Sequence, residues 1–265
     1  MPKSVVHLDI DARGVAHVTL DRPEVNNAYN GDLISQLLEG VLTLSHDDRV
    51  RVIVLRGNGR FFQAGADLKF MKELGQQSFE ENLHMSRITT DLVRYLDESP
   101  KPTIALVQGG AFGGGVGMLA ACDVVLASQE AIFSITEVRW GLVAGPIIPQ
   151  LNTAIGQRNV RRYALSAERF DAVRAREMGL VHEVCATGAL EETAAPIIDQ
   201  FLKSSPSAIA ETKDLMFDTL GARVDDGLAT RLAVDHASRR RTDDGAEGLL
   251  SFEERREAAW YPGPA

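Results

Sequence analysis

The chain has little cysteine, no long apolar run and no excess of basic residues. Its two cysteines, Cys122 and Cys185, lie in apolar sequence without the spacing of metal ligands, so we expect reduced, buried thiols. The first residues, MPKSVVHLDI, carry no apolar run typical of a signal peptide. No stretch is long and apolar enough to span a membrane. These absences predict a soluble, cytoplasmic protein without a membrane partner.

The charge balance and the histidines exclude two further classes. The net charge of −9 argues against binding to the phosphate backbone of a nucleic acid. None of the six histidines stands in an HExxH or similar grouping, so we expect no metal. Apolar residues make up 45% of the 265 positions, which is enough for a large core and speaks against disorder.

One glycine-rich stretch, TIALVQGGAFGGGVG (residues 103–117), organises the chain. Thr103–Val107 predicts a buried strand, and Val116–Ala121 predicts the opening of a helix. Bare backbone N–H groups at such a junction favour an anion, which is either a phosphate or an oxyanion. The Rossmann fingerprint and the P-loop lysine are both absent. A tight turn with only a packing role also fits the glycines alone.

A second segment, FFQAGADL (residues 61–68), follows a predicted strand. Together with the glycine run, it resembles the enoyl-CoA hydratase/isomerase (crotonase) family, which pairs an AGADL segment with a later GGG segment. LDRPEVNNA near one end and SFEERR near the other also match, so the resemblance covers nearly the whole chain. It implies an acyl-CoA thioester substrate, with coenzyme A as part of the substrate and no separate cofactor. It also implies an oxyanion hole made by the N–H groups of Ala66 and Gly114.

Periodicity alone predicts an α/β protein. It indicates a hairpin from Val5–Ile10 and Val15–Leu20, then a helix over Gly31–Ser45. The resemblance implies the crotonase (ClpP-like) spiral of ββα units over residues 1–190. Residues 191–265 would form a C-terminal helical region that builds homotrimers or hexamers (dimers of trimers). Their helical patterns cover Leu190–Leu202, Ser205–Phe217, Asp225–Ser238 and Asp243–Arg256.

The hydratases of this family usually have two catalytic glutamates. One position corresponds to Glu137, in FSITEVRW, and the other corresponds to Gly117, which has no side chain. A carboxyl beside an apolar acyl pocket should have a raised pKa, so we expect Glu137 to donate and accept protons. We expect Gly117 to leave space for a water molecule or for a substituent on C3. A glutamate introduced there should then be accommodated.

Three functions remain open: a hydratase, an isomerase that moves a double bond with Glu137 alone, and a non-catalytic acyl-CoA-binding scaffold. The oxyanion segments and Glu137 argue against the scaffold. We favour the hydratase, because ITEVRWGLVAGPIIPQL (residues 135–151) is similar to hydratases of branched glutaconyl-type thioesters in terpene and leucine breakdown. These include the isohexenylglutaconyl-CoA and 3-methylglutaconyl-CoA hydratases. Arg139 is the candidate partner for a substrate carboxylate.

The resemblance also implies contacts to the substrate or to its CoA moiety. The loop at residues 20–28 would contribute mainly backbone, the AGADL segment would face the adenine, and the C-terminal tail would reach a neighbouring subunit's CoA. Arg255 would serve a phosphate, although Arg22 and Arg255 also fit ordinary solvated positions. The candidates are Arg22, Val25, Asn26, Ala28, Ala64, Gly65, Asp67, Leu68, Gly113, Phe252 and Arg255.

Overall fold

The computed structural model describes residues 4–264, which form two β-sheets flanked by α-helices. The strands are β1 (Val6–Ile10), β2 (Val15–Leu20), β3 (Val52–Gly57), β4 (Thr103–Val107), β5 (Gly110–Phe112), β6 (Val124–Ser128), β7 (Ile132–Ser134), β8 (Phe170–Asp171) and β9 (Glu183–Cys185). The helices are α1 (Gly31–Ser45), α2 (Leu68–Leu74), α3 (Phe79–Asp97), α4 (Gly114–Ala120), α5 (Ile148–Ser166), α6 (Ala172–Met178), α7 (Leu190–Lys203), α8 (Pro206–Asp218), α9 (Asp226–Arg239) and α10 (Asp243–Glu254). Across these residues, no helix has both the length and the apolar character that a membrane crossing requires.

The larger sheet has the strand order β1-β2-β3-β4-β6-β9. Only β1 runs antiparallel to its neighbour, and the other pairs are parallel. Every residue of β4 is buried, as expected for a parallel strand covered on both faces. One face packs against α1 and α3, and the other packs against α7. The predicted α/β spiral is therefore confirmed.

A smaller sheet lies beside the first, with the order β5-β7-β8. Strand β5 falls inside the glycine run and was not predicted, because glycine has a low preference for strands. It pairs in parallel with β7, which brings the residues that follow both strands to the same edge. This edge carries the candidate site.

The C-terminal region is helical, as predicted. The predicted division after residue 190 falls after the first residue of α7, a helix that packs on the larger sheet. Two sets of polar contacts hold the later segments on the core. The Lys213 ammonium on α8 donates to the Asp123 carboxylate at 2.6 Å, and the Arg51 guanidinium donates to the carbonyls of Leu202, Ser204 and Trp260.

Residues 69–82 have no firm helical period in the sequence, yet they contain most of α2 and the first turn of α3. The side chains at the two helix starts explain this. The Asp67 carboxylate accepts from the N–H groups of Lys69 and Phe70, and Ser78 and Glu81 form a capping box. Caps of this kind stabilise a helix start by about 1 kcal/mol.

Candidate active site

Three chain segments lie side by side at the edge of the smaller sheet. Gln63 forms a parallel bridge with Ala111 of β5, and Ala66 forms one with Tyr29. The Tyr29 N–H donates to Gly65 O at 2.9 Å, and the Asp67 N–H donates to Tyr29 O at 2.9 Å. The AGADL segment is therefore held between β5 and the chain that enters α1.

The N–H of Ala66 is left without an acceptor among residues 4–264. Its two neighbours are occupied, because the Asp67 N–H binds Tyr29 O and the Gly65 N–H binds Gln63 Oε1 at 2.8 Å. Gly65 has a φ of +87°, a conformation that glycine adopts without steric cost. This turn leaves the Ala66 N–H free to bind a ligand.

The glycine run places a second free N–H beside the first. Gly113, with a φ of +51°, turns the chain from β5 into α4, and Gly114 is the first residue of that helix. The first N–H groups of a helix have no intrahelical acceptor, and no other described residue accepts from Gly114. A free N–H at a helix start attracts negative charge.

Glu137 begins the 3-10 turn Glu137–Trp140, shortly after β7. Its Oε1 lies 3.1 Å from the point where a Cβ on Gly113 would stand. Its Oε2 is buried without a hydrogen-bond partner in the described chain. Burial raises the pKa of Glu137, and the backbone N–H groups of Glu137 and Thr136 partly oppose that rise. The carboxyl thus lies next to the Gly113–Gly114 backbone, and burial makes its protonated form easier to populate than in an exposed glutamate.

A cavity of about 290 Å³ joins these groups. Glu137 is the single acidic side chain among the described residues that line it. Across residues 4–264, no three His, Cys, Asp or Glu side chains come together as a metal site would need. The lining residues are Tyr29, Ala64, Ala66, Leu68, Met71, Phe112, Gly113, Gly114, Thr136, Glu137, Trp140 and Leu142.

The loop at residues 20–28 packs against the AGADL segment. Arg22 forms an ion pair with Asp67 at 3.2 Å and donates to the carbonyl of Ala28. The Ala64 N–H donates to Asn26 O at 3.0 Å. Val25 ends the short 3-10 turn Pro23–Val25. These contacts tie the loop to the oxyanion segment, and none of its candidates (Arg22, Val25, Asn26, Ala28) lines the cavity.

The structure corrects the expectation for Gly117. A Cβ on this residue would stand 2.0 Å from Ile147 Cγ2, and Gly117 does not line the cavity. The space beside Gly117 is filled by the buried side chain of Ile147, so it holds neither a water molecule nor a substrate branch.

The same contact reverses the expectation for a carboxylate at this position. Gly117→Glu should lower the melting temperature markedly, because overpacking costs about 1–3 kcal/mol and an unpaired buried charge costs several more. Gly117→Ala adds the Cβ without the charge and should lie between wild type and Gly117→Glu in a thermal melt. Adding Ile147→Ala should recover part of the loss, and a Gly117→Glu protein as stable as wild type would contradict this packing.

Three other candidates lie away from the cavity. Arg139 is exposed and has no ion-pair partner within residues 4–264; in particular, it does not pair with Glu137. Phe252 on α10 is 85% exposed, and Arg255 caps that helix with a φ of +56°. None of the three lines the cavity.

Sequence reasoning missed two residues that shape the site. Gln63 is fully buried, and its amide donates to Gly65 O at 2.9 Å while accepting from the Gly65 N–H. Its only signal in the sequence is a large polar residue directly before AGADL. The second residue is Tyr29, which lines the cavity; its signal is an aromatic residue between the LDRPEVNNA loop and the Asn30 cap of α1.

The geometry agrees with the comparisons with known proteins. Residues 11–262 match the family model described as enoyl-CoA hydratase/isomerase. The crystal structure of an enoyl-CoA hydratase from Shewanella pealeana superposes with a TM-score of 0.93 at 35% identity, covering 97% of this chain and 96% of that one. The 2,3-dehydroadipyl-CoA hydratase of Escherichia coli is 31% identical over 246 residues, which is 90% of this chain and 92% of the relative.

An isomerase is also among the relatives. The mitochondrial Delta(3,5)-Delta(2,4)-dienoyl-CoA isomerase of Mus musculus is 32% identical over 254 residues, which is 92% of this chain and 77% of the relative. Taken together with the sheet topology and the site geometry, these matches identify the chain as an enzyme of the enoyl-CoA hydratase/isomerase family.

Proposed function

We propose that this enzyme is an enoyl-CoA hydratase that adds water across the 2,3 double bond of an acyl-CoA thioester. The observation that supports the proposal is that two free backbone N–H groups and one carboxyl line the same cavity. The N–H groups of Ala66 and Gly114 have no acceptor among the described residues, and Glu137 has a buried carboxylate oxygen without a partner. Buried polar groups are normally paired, so the substrate would satisfy all three.

The two N–H groups would bind the thioester oxygen. When the oxygen of water forms a bond to C3, the electron pair of the C2–C3 π bond shifts to give an enolate, whose negative charge rests on that oxygen. Two preorganised donors stabilise this charge more than the neutral carbonyl, which is the source of rate enhancement at an oxyanion hole.

Glu137 would carry the proton. In its ionised form it accepts a proton from water while the C3–O bond forms. C2 of the enolate then takes that proton from the carboxyl, which restores the carboxylate and leaves a 3-hydroxyacyl thioester. The raised pKa of Glu137 brings its affinity for a proton closer to what both steps require.

The substrate proposed is a branched glutaconyl-type thioester, such as isohexenylglutaconyl-CoA or 3-methylglutaconyl-CoA. Arg139 supports this choice. It stands on the same 3-10 turn as Glu137 and Trp140, and its guanidinium is exposed without an ion-pair partner among residues 4–264. A carboxylate that extends from the acyl group toward solvent could pair with it in bidentate fashion. The Escherichia coli relative is likewise named for a thioester of a dicarboxylic acid.

The second candidate is an isomerase that moves a double bond. The observation in its favour is that Glu137 alone supplies a carboxyl to the described lining of the cavity. One carboxyl suffices to move a proton between two carbons of the same acyl chain. A non-catalytic acyl-CoA-binding scaffold would turn over neither kind of substrate.

A homotrimer, or a hexamer built from two trimers, is the assembly we propose. Large apolar side chains are exposed on the C-terminal helices, among them Met216 on α8, Val234 on α9 and Leu249 on α10, each with more than half of its surface accessible. A neighbouring subunit that covered such side chains would remove apolar surface from water. Assembly would also allow Phe252 and Arg255 of one subunit to approach the CoA of another.

The test is an assay of purified protein in ¹⁸O-labelled water with three classes of substrate: crotonyl-CoA, 3-enoyl-CoAs and branched glutaconyl-CoAs. We expect a gain of one water, with the label at C3 of the product, and the highest kcat/KM for the branched substrates. Arg139→Ala should raise KM for carboxylate-bearing substrates and leave crotonyl-CoA unchanged, whereas Arg139→Lys should retain part of the affinity.

Each other outcome excludes one part of the proposal. A shifted double bond without incorporated label identifies an isomerase. Tight binding of acyl-CoA without turnover identifies a scaffold. Hydration with no preference for carboxylate-bearing substrates retains the hydratase and removes the branched glutaconyl class.

A further inference from the structure

Tyr29 lines the same cavity as Glu137 and both free N–H groups. Its backbone is held on both sides, by Gly65 O and by the Asp67 N–H, which ties this residue to the oxyanion segment. The side chain then reaches toward α4. Its Cε1 lies 2.8 Å, and its hydroxyl oxygen 3.4 Å, from the point where a Cβ on Gly114 would stand.

Among residues 4–264, Glu137 Oε2 is a buried oxygen without a hydrogen-bond partner, and the partly buried Tyr29 lines the same cavity. A buried carboxylate oxygen without a partner is costly unless a ligand atom binds it, and the Tyr29 hydroxyl is available to bind that same atom. Because each of these groups can bind one oxygen atom, a water molecule that contacts both would remove the cost.

The protonation state of Tyr29 suits this task. Burial, and then the negative charge of Glu137, raise the pKa of Tyr29 to about 12. The phenol therefore stays neutral at physiological pH and keeps its proton for a hydrogen bond.

We propose that the Tyr29 hydroxyl and Glu137 together hold the water molecule that is added to C3. This assignment rests on the proposed hydratase function and deepens it. It supplies the second polar group that Gly117 lacks, from the segment before α1 rather than from α4. The hydroxyl donates to the water oxygen while Glu137 accepts the water proton, so the remaining lone pair of the water points at C3. Tyr29 forms no covalent bond and ends the cycle with its own proton.

The test compares Tyr29→Phe with wild type in two reactions of the same site. Hydration of a 2-enoyl-CoA needs the water molecule. Exchange of the C2 hydrogens of a saturated acyl-CoA with D₂O needs only the oxyanion donors and Glu137. We expect Tyr29→Phe to lower hydration at least about tenfold, the loss that follows from misplacing a reactant, and to leave C2 exchange within about twofold of wild type. Tyr95→Phe, on α3 and outside the cavity lining, is the matched control and should change neither rate.

Each outcome either supports or overturns the proposed role of Tyr29. Loss of hydration with retained exchange supports the role of Tyr29. Hydration at the wild-type rate overturns it and leaves the proposed hydratase intact. An equal loss of both reactions also overturns it, since Tyr29 would then act on the enolate or on the structure of the oxyanion hole. If wild type exchanges C2 hydrogens but adds no water to any substrate, the hydratase function itself fails, and the assignment of Tyr29 fails with it.

Discussion

Replacing Glu137 with glutamine is expected to lower turnover at least about 10²-fold, the usual scale of general acid–base catalysis, while affinity for CoA is kept. Glutamine has nearly the same shape as glutamate but cannot carry a proton between water and C2. The oxyanion donors Ala66 and Gly114 are untouched by the change. Initial rates with an enoyl-CoA, together with the dissociation constant of CoA, measure the two effects separately.

The same variant should be more stable than wild type at neutral pH. Burial raises the pKa of Glu137 in the folded protein, so the folded state binds more protons than the unfolded state between the ordinary and the raised value. The stability of wild type therefore falls as pH rises through that window and levels off above it. Glutamine does not titrate. The difference in Tm should be small below the ordinary pKa of a glutamate, should grow as the pH rises through the raised pKa, and should then stay constant.

Glu130→Gln is a useful control for both measurements, because Glu130 is an exposed glutamate near β7 whose pKa is not raised. It should retain activity. A Glu137→Gln enzyme that turns over substrate at the wild-type rate would exclude Glu137 from the chemistry, whatever its effect on Tm.

The elements with strong periodic patterns were predicted closely. The helix Gly31–Ser45 and the strands Val15–Leu20 and Thr103–Val107 were predicted with the bounds that the structure shows. In these segments, local preference and burial favour the same structure. Strand β5 is different, because its residues come from a glycine-rich run and its pairing with β7 is made by chain that lies later in the sequence.

The candidate site was predictable as far as its two backbone motifs and the carboxyl of Glu137. The AGADL and GGG segments indicated where free N–H groups should lie, and Ala66 and Gly114 do line one cavity with Glu137. The side chains that fill the space next to these motifs were not predictable. Nothing in the residues around Gly117 indicates that Ile147 fills the volume beside it, because that contact depends on how α4 packs against the segment before α5.

The direction in which a side chain points was also not predictable from the sequence. Arg139 is two residues from Glu137, and this spacing suggested a shared role. In the 3-10 turn Glu137–Trp140, however, Glu137 and Trp140 line the cavity and Arg139 does not. Residues three apart lie on one face of such a turn, and spacing alone could not establish that a 3-10 turn forms here.

Replacing Gly114 with proline is expected to lower turnover about 10²- to 10³-fold, the usual cost of one lost oxyanion donor. Proline has no N–H, so Ala66 alone would face the enolate oxygen. Gly114 is the first residue of α4, a position at which proline fits the helical backbone and removes no intrahelical hydrogen bond. The loss should therefore appear in kcat more than in the melting temperature.

The effect of the new side chain must be distinguished from the effect of the missing N–H, because any Cβ at position 114 would lie 2.8 Å from Tyr29 Cε1. Gly114→Ala introduces the same Cβ and keeps the N–H. If the N–H is the catalytic feature, the alanine enzyme should show the crowding of Tyr29 as a moderate loss, and the proline enzyme should be at least about tenfold slower than the alanine enzyme. Equal rates for the two variants, with both proteins folded by circular dichroism, would mean that the enolate oxygen is bound elsewhere. The contribution of Gly114 would then be only the space that its missing side chain leaves for Tyr29.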